Sequence, residues 1–418
     1  MSLQASAWET PSERKPSGWR FRPLDLTLSR KAVELTAMFC AAMFFAYVFM
    51  AVKVTLEGKE GYHFGDFFAL WTSAVVTHAG DAAVNFDADA LHLRQIALGM
   101  NPDGYNPFPY PPTFLLLLGP MGALPEKLAF YLFMIPAFAA YLLAMWAGRW
   151  REWWWGLGAA IAPATGITLI SGQTGYLSGA LMIGALRLLP TRPALAGVLF
   201  GLLTYKPQLG VLVPVALVAM GSWRAIASAA VTFAVCVVVS GCVYGFPLWG
   251  LWARSIAEYA TRFHPVVGYM PTIYANAIML GAWRSVAWGL QLAVSIPVGI
   301  VVWRAFRNGP YARAAALLVV GTYLATPHAF NYDMPMMTLA LVWYFVDRLQ
   351  SSDRVDLGEI VALLLAFTMP FLMLELKKVD MPMSWAPLGL MFCLIAWPRK
   401  PTPEQAPASD WVQNAAQA

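Results

Sequence analysis

Charged residues are scarce in this sequence of 418 amino acids. Asp, Glu, Lys and Arg together make up 12% of the chain, whereas 59% of it is hydrophobic. Soluble domains carry roughly 25% charged residues, so water cannot be the main solvent of this chain. The scarcity of charge excludes an ordinary soluble enzyme and indicates a protein that is embedded in a membrane.

Several functional signatures are also missing. The sequence has no Gly-rich phosphate loop, no zinc-ligand spacing and no nucleophile elbow, so a nucleotide site has no support and we expect neither a metal nor a cofactor. The four cysteines lie inside apolar runs and imply no disulfide framework. The net charge of +5 comes largely from basic residues in interhelical turns and at the N-terminus. That pattern is the orientation signal of a membrane protein and does not indicate nucleic-acid binding.

Long apolar stretches are abundant and recur from Ala32 almost to Pro398. Crossing a bilayer takes about 20 mostly apolar residues as helix, so we predict an all-α, polytopic integral membrane protein with about 12 transmembrane helices. Residues 1–31 are predicted to form a basic cytoplasmic tail, residues 32–397 one membrane domain, and residues 398–418 a disordered cytoplasmic tail. The predicted spans lie at about 32–52, 126–148, 153–171, 175–189, 193–206, 207–221, 224–245, 284–303, 313–326, 328–346, 357–374 and 384–397.

The segment 54–112 is the longest one predicted to lie outside the membrane. Basic residues before the first span place the N-terminus in the cytoplasm, so this loop is predicted to face the outer side. Within it, Phe64–His78 and Asp87–Gly99 have the apolar spacing of two short helices lying at the interface. The apolar run Thr113–Leu124 is too short to cross unaided and predicts a re-entrant half-helix.

Three breaks interrupt the apolar runs, at Gly172, at Lys206-Pro207 and at Thr326-Pro327. Irregular backbone at membrane depth survives only where protein or a water-filled cavity satisfies it. The alternation of the predicted spans puts all three breaks on the outer side. We therefore expect the outer halves of the helices to surround a polar cavity that the segment 54–112 covers.

Asp66 follows the first predicted span within Gly65-Asp66-Phe67-Phe68. A carboxylate at the first turn of a helix often only caps the backbone N–H groups. The alternative is a general base at the membrane surface, whose pKa partial burial raises toward the working pH. The sequence leaves both interpretations open.

Gln173 and Lys206 mark the first two breaks. Gln173 could simply satisfy the backbone of its turn. Lys206 lies between two apolar segments, where a cation costs about 2.5 to 3.5 kcal/mol at mid-helix. Its side chain either extends to the outer interface or holds an anion such as a lipid-linked phosphate.

The third break gathers His328, Asn331, Tyr332 and Asp333. A single histidine is commonly a structural residue. His328 could instead stabilise a phosphate leaving group, either protonated or as a hydrogen-bond donor. Asp333 and Asn331 could fix the tautomer of His328 or serve in catalysis themselves.

The order and spacing of these pieces resemble the bacterial membrane glycosyltransferases of family 87, which include polyprenol-phosphate-mannose-dependent α-1,2-mannosyltransferases with a GT-C fold. The resemblance covers roughly residues 60–340. The matching pieces are Gly65-Asp66-Phe67-Phe68, Tyr110-Pro111-Pro112 with Ala123-Leu124-Pro125, Gly172-Gln173, Ala196-Gly197, Leu203-Thr204-Tyr205-Lys206-Pro207, Ala325-Thr326-Pro327-His328 and Tyr332-Asp333.

The resemblance implies a GT-C-like helix bundle in the bacterial inner membrane. It implies an inverting transfer of a hexose, with mannose the first candidate, from a polyprenyl-phosphate donor to a hydroxyl of a lipid or glycan acceptor on the outer face. Asp66 would be the general base, and Lys206 and His328 would bind the donor phosphate. The substrate pocket is expected to include Tyr110, Gln173, Asn331, Tyr332 and Asp333.

Two other classes of protein also use polar residues at helix breaks. A secondary transporter or lipid carrier has broken helices and intramembrane charges, commonly within two related halves, and the sequence shows no convincing internal repeat. A non-catalytic assembly factor would leave the outer polar residues without a shared site. Asp66, Lys206 and His328 must come together for the enzyme interpretation to hold, because groups that serve one reacting centre lie within hydrogen-bond reach of it.

Overall fold

The computed structural model describes residues 27–29, 49, 65–146, 158–262, 264–351 and 354–397. The predicted first span and both predicted tails lie almost entirely outside the described residues. The described helices are α1 (Phe67–His78), α2 (Ala88–Ala97), α3 (Pro112–Leu118), α4 (Glu126–Trp146), α5 (Pro163–Ser171), α6 (Gly175–Leu188), α7 (Pro193–Leu202), α8 (Val213–Met220), α9 (Trp223–Tyr244), α10 (Pro247–Arg262), α11 (Ile273–Met279), α12 (Arg284–Asn308), α13 (Tyr311–Ala325), α14 (Met337–Ser351), α15 (Leu357–Lys378) and α16 (Ala386–Ala396).

Short 3₁₀ segments connect several of these helices. They are Ala82–Phe86, Gly119–Ala123, Leu203–Tyr205, Pro207–Gly210, His264–Tyr269 and Asn331–Met336. Two three-residue strands, β1 (Thr27–Ser29) and β2 (Arg354–Asp356), pair antiparallel. The sequence places both of these segments on the cytoplasmic side, and their pairing is consistent with that placement.

Local sequence explains where many of the helices begin and end. Proline occupies the first helical position of α3, α5 and α7, where its missing N–H group costs nothing. Gly172 ends α5 and Gly221 ends α8, both with a left-handed backbone at φ values of 62° and 65°. Asp87 caps α2, because its side chain accepts hydrogen bonds from the backbone N–H groups of Asp89 and Ala90.

The bundle has a buried centre and an apolar exterior. Helix α13 is central, and nearly all of its residues are buried. Helices α9 and α12 lie at the periphery and expose large apolar side chains such as Val231, at 62%, and Ile296, at 61%. Apolar side chains that project outward from long helices suit a lipid environment. The described part of the chain is therefore an all-helical membrane bundle with one short β-pair.

Four described helices, α4, α9, α12 and α15, are long and apolar enough to cross a membrane. Most of the other predicted spans correspond to shorter apolar helices of 10 to 17 residues. The total of about 12 transmembrane helices stays a prediction. Many predicted spans are short because the helices are interrupted at the three predicted positions. Such irregular backbone is tolerated at membrane depth where surrounding protein or a cavity satisfies its polar groups.

The segment 54–112, called the outer segment below, differs in part from its predicted form. Helices α1 and α2 occur where the sequence indicates them, but nine of the twelve residues of α1 are buried. Helix α1 packs against Gly119–Ala123 and α4, so it belongs to the core and does not lie at the interface. The predicted re-entrant half-helix is a seven-residue helix, α3, followed by the 3₁₀ segment Gly119–Ala123.

Sequence reasoning assigned no element to residues 246–283, where the structure has α10 and α11. Helix α10 is strongly amphipathic. It contacts the outer segment, where the indole N–H of Trp252 donates to the carbonyl oxygen of Pro109 at 3.2 Å. The predicted topology places Arg254, Arg262, Lys377 and Lys378 outside, against the usual rule. The amphipathic pattern of α10 offers a reason for the first two, because a helix that lies in the interface keeps its basic face among the polar headgroups.

Candidate active site

The three predicted helix breaks meet in the structure. Between α5 and α6 the chain turns through Gly172 and Gln173, and α6 begins at Gly175. A Cβ atom on Gly175 would lie 1.9 Å from the carbonyl oxygen of Tyr332, so only glycine lets the third break approach the first so closely. The Asn331–Met336 segment therefore packs directly on the beginning of α6.

An ion pair joins the second break to the third. The Lys206 Nζ atom lies 2.5 Å from Asp333 Oδ1, and both side chains are almost fully buried, at 5% and 1% exposed. Lys206 also donates to the hydroxyl of Thr174 at 2.8 Å, which brings in the first break. The second oxygen of Asp333 accepts from the backbone N–H of Phe330 at 3.1 Å.

These contacts exclude one of the two interpretations of Lys206. Its side chain is buried and bonded inside the bundle, so it does not extend to the outer interface. Its ammonium group also lies near two aromatic rings, 5.4 Å from the ring centre of Tyr110 and 5.1 Å from that of Tyr332. Cations at such distances are attracted to the face of an aromatic ring. The charge of Lys206 is thus held at one defined point in a mostly aromatic environment.

Asp66 begins α1 but does not cap it. Among the described residues, its side chain accepts no capping hydrogen bond from the first turn, and its Oδ2 atom instead accepts from the amide of Gln173 at 3.3 Å. The other end of the Gln173 amide accepts from the hydroxyl of Tyr110 at 3.0 Å. The Gln173 side chain therefore does not bond the backbone of its own turn, and it links Asp66 to Tyr110.

The backbone around Asp66 explains why its carboxylate faces the first break. Gly65 has φ of +57°, and a Cβ atom there would lie 2.7 Å from the carbonyl oxygen of Ile170. The Asp66 backbone N–H donates to the carbonyl oxygen of Ser171 at 2.8 Å. Burial raises the pKa of the half-buried Asp66 carboxyl above its usual value, although the Gln173 hydrogen bond and the Lys206 charge oppose that rise.

His328 contacts two aromatic rings of the site. Its ring meets that of Phe330 edge to face at 5.1 Å, and that of Tyr259 at 5.8 Å. Phe330 stacks on Tyr332 at 4.9 Å between ring centres, and Tyr332 in turn lies beside Lys206. A chain of contacts therefore runs from His328 through Phe330 and Tyr332 to Lys206, and from Lys206 through Tyr110 and Gln173 to Asp66. That these residues serve one reacting centre stays a prediction.

The expected partners of His328 are engaged elsewhere. The Asp333 carboxylate bonds Lys206 and the Phe330 backbone. The Asn331 amide donates to the carbonyl oxygen of Pro370 at 3.4 Å, and its oxygen accepts from the Tyr332 backbone N–H at 2.9 Å. Among the described residues no hydrogen bond joins Asp333 or Asn331 to the His328 ring, and a buried salt bridge and a backbone turn use these groups. The suggestion that either of them fixes the His328 tautomer stays a prediction.

Sequence reasoning missed two residues of this site. Thr174 accepts from Lys206, and it stands within the Gly-Gln-Thr-Gly break that the sequence already marked. Tyr259 touches His328 from α10. The amphipathic pattern of α10 could have revealed that helix, but a pattern within one segment cannot show which distant residue the helix approaches.

A narrow cleft opens beside this site. It lies between the outer segment and α10, and Tyr259 borders it on the side of His328. The cleft is lined by Asn85, Phe86, Ala88, Tyr105, Pro107, Phe108, Pro109, Ser255, Glu258 and Tyr259. Amide, phenol, hydroxyl and carboxylate groups thus line this cleft.

Within the described parts of the chain, no group of three or more His, Cys, Asp or Glu residues is placed to hold a metal ion. The site consists of one carboxylate, one buried ion pair, a histidine, and several aromatic and amide groups. The helical bundle and this site define a membrane protein whose polar centre is built from the broken ends of its helices.

The family model of glycosyltransferase family 87 matches residues 108–327, which is just over half of the chain. The chain belongs to glycosyltransferase family 87 and is a glycosyltransferase, which decides against the transporter and assembly-factor interpretations. No curated protein and no solved structure shows a significant match to it. The matched range includes Tyr110, Gln173 and Lys206, whereas Asp66 and His328 lie outside it.

Proposed function

We propose that this glycosyltransferase moves a hexose, with mannose the first candidate, from a polyprenyl-phosphate donor to a hydroxyl group of a lipid or glycan acceptor. Asp66 is the general base, and the product has the inverted anomeric configuration. The reaction takes place on the outer face of the bacterial inner membrane. The family supports the transfer of a sugar, and the residues of the site support the finer points.

The observation that carries this proposal is the state of the Asp66 carboxylate. It stands at a helix start without capping that helix, it is half-buried, and its one side-chain hydrogen bond to a described residue is a long contact with Gln173. Its second oxygen is left for a substrate proton. A carboxyl group whose pKa is raised by burial is a better proton acceptor than an exposed one.

The donor phosphate binds on the Lys206 side of the site. An ammonium group has three N–H donors, and Lys206 gives one to Thr174 and one to Asp333. The third remains for a phosphate oxygen between the rings of Tyr110 and Tyr332. His328 contributes a further hydrogen bond to the same phosphate, so two donors stabilise the charge that develops on the leaving group.

The acceptor reaches the site through the cleft between the outer segment and α10. Its polar lining, with Asn85, Tyr105 and Glu258, suits a neutral compound rich in hydroxyl groups. The charged group among the lining residues is the carboxylate of Glu258, which disfavours an anionic acceptor. Tyr259 separates this cleft from His328 and so stands where acceptor and donor meet.

One displacement completes the reaction. The acceptor hydroxyl gives its proton to Asp66 while its oxygen attacks the anomeric carbon of the donor sugar. The bond between that carbon and the phosphate oxygen breaks, and its electron pair stays on the phosphate as polyprenyl phosphate leaves. A single attack from the face opposite the leaving group inverts the anomeric configuration.

The test is incubation of the purified protein in detergent with a lipid extract of the host and one radiolabelled donor at a time: polyprenyl-phosphate mannose, its glucose analogue or a nucleotide sugar. We expect label to move from the mannosyl donor into a new glycolipid or glycan, with the opposite anomeric configuration. Transfer from the glucosyl donor alone would change the sugar and keep the mechanism. Transfer from a nucleotide sugar but from neither lipid-linked donor would overturn the proposal.

A further inference from the structure

A second concave surface lies on the lipid-facing side of the bundle, between α8 and α12. One wall is formed by Val211, Leu212 and Val215, and the other by Ile296, Ile300 and Trp303. Gly299 forms the floor, where a Cβ atom would find its nearest neighbour, a methyl group of Leu212, only at 4.0 Å. The absence of a side chain at Gly299 therefore creates the depth of this apolar groove.

The two ends of the groove differ in character. At one end Ser295 donates to the carbonyl oxygen of Ala325 at 2.8 Å, which closes the groove below the third helix break. At the other end stands Arg304, nine residues along α12 and therefore about 14 Å away. Arg304 is exposed and forms no hydrogen bond or ion pair with another described residue.

The segments that form the groove carry basic residues and lack acidic ones. Arg307 follows one turn later on α12, and Arg224 begins α9 beside α8. The sequence contains no Asp or Glu from 207 to 257 and none from 259 to 332. An anion at this end would meet basic groups without a competing carboxylate from these segments.

We propose that the groove binds an anionic phospholipid, with one acyl chain between α8 and α12 and the headgroup phosphate on Arg304. Apolar walls along α12 match the chain, and an unpaired guanidinium group at the rim matches the phosphate. In the predicted topology this end faces the cytoplasmic leaflet. The site is separate from the sugar-transfer site, and only the choice of a phospholipid over the prenyl chain of the donor rests on the function proposed above.

The prenyl chain of the donor fits this groove less well. Its phosphate belongs beside Lys206, so a prenyl chain that ran down the groove would place its hydrocarbon end against Arg304. Charge on Arg304 would then face hydrocarbon without a partner, which is unfavourable. A phospholipid reverses this direction and puts the phosphate where the charge is.

Native mass spectrometry of the delipidated protein tests the proposal, with palmitoyl-oleoyl phosphatidylglycerol and phosphatidylcholine as probes. We expect one phosphatidylglycerol to bind about fivefold more tightly, as one basic residue at a membrane surface provides. Arg304→Gln should abolish the preference. Gly299→Leu, which fills the floor, should weaken the binding of both lipids.

Arg307→Gln is the matched control, because it removes the same charge from the same helix outside the groove lining. It should reduce the preference for phosphatidylglycerol far less than Arg304→Gln does, because Arg307 adds only a more distant charge. Equal binding of the two lipids by the unmodified protein would overturn the proposal, as would equal losses in Arg304→Gln and Arg307→Gln. Displacement of phosphatidylglycerol by a polyprenyl phosphate would assign the groove to the donor instead.

Discussion

Replacement of Asp66 by Asn examines the proposed base most directly. Asn has nearly the same shape, and its side-chain oxygen can still accept the hydrogen bond from Gln173. It cannot take a proton at neutral pH. General-base assistance is worth about 10² to 10⁴ in rate, so kcat for sugar transfer should fall by a factor in that range while the protein still folds and still binds donor.

The pH dependence adds a second measurement to the same variant. Burial holds the pKa of Asp66 above its usual value, and the carboxyl group is inactive as a base when it is protonated. Activity of the unmodified enzyme should therefore fall as the pH is lowered through that raised pKa. The residual activity of Asp66→Asn should lack this decrease on the acidic side, because the titrating group is gone.

Asp87→Asn is the matched control for this experiment. Asp87 caps α2 within the same outer segment, with two backbone N–H groups on its carboxylate, and Asn caps a helix about as well as Asp. Its replacement should leave both folding and transfer unchanged. Near-normal transfer by Asp66→Asn, measured with labelled donor, would refute the assignment and direct the search for the base to Asp333 or Asp81.

Three further outcomes are expected. Lys206→Met and Asp333→Asn should each lower the stability of the protein by about 3 to 5 kcal/mol, because each leaves a buried charge unpaired. Thermal unfolding in detergent should show that the double variant recovers much of this loss. The double variant should nevertheless bind donor more weakly. Gln173→Leu removes the hydrogen bond that favours the ionised form of Asp66, so the pKa of Asp66 should rise and the decrease in kcat on the acidic side should move to higher pH. An unchanged pH profile would count against the contact between Gln173 and Asp66. Single cysteines at Asp103 and Gln405 should be labelled by an impermeant reagent in intact cells only at the first position, and labelling at the second would reverse the predicted side of the C-terminus.

The sequence predicted the meeting of the three breaks for a physical reason. Backbone groups at membrane depth must be satisfied inside the protein, and breaks on one side of a bundle can satisfy one another. Gly172, Lys206 and Thr326-Pro327 were visible as interruptions of apolar runs, and the residues beside them do form one network. The polar character of the site could therefore be predicted without any structure.

The partners within that network could not be predicted. Lys206 and Asp333 are 127 residues apart in the chain, and nothing in either segment indicates which acid pairs with which base. The same limit applies to α1, whose apolar composition suits an interface and a core equally well until its neighbours are known. Tyr259 enters the site only because α10 packs on the outer segment.

The pairing of Lys206 with Asp333 also bears on how the proposed reaction is catalysed. Before transfer, Asp66 and the donor phosphate each carry one negative charge. Afterwards Asp66 is protonated and neutral, and the departing phosphate carries two, so the reaction moves one charge across the site from Asp66 toward Lys206. Interactions accelerate a reaction only when they strengthen in the transition state.

A lysine that is already half-neutralised by Asp333 attracts a singly charged phosphate weakly and a doubly charged one more strongly. In the proposed reaction, the buried ion pair would therefore hold the three helix breaks together and fix Lys206 at the point where its attraction strengthens as charge reaches the phosphate.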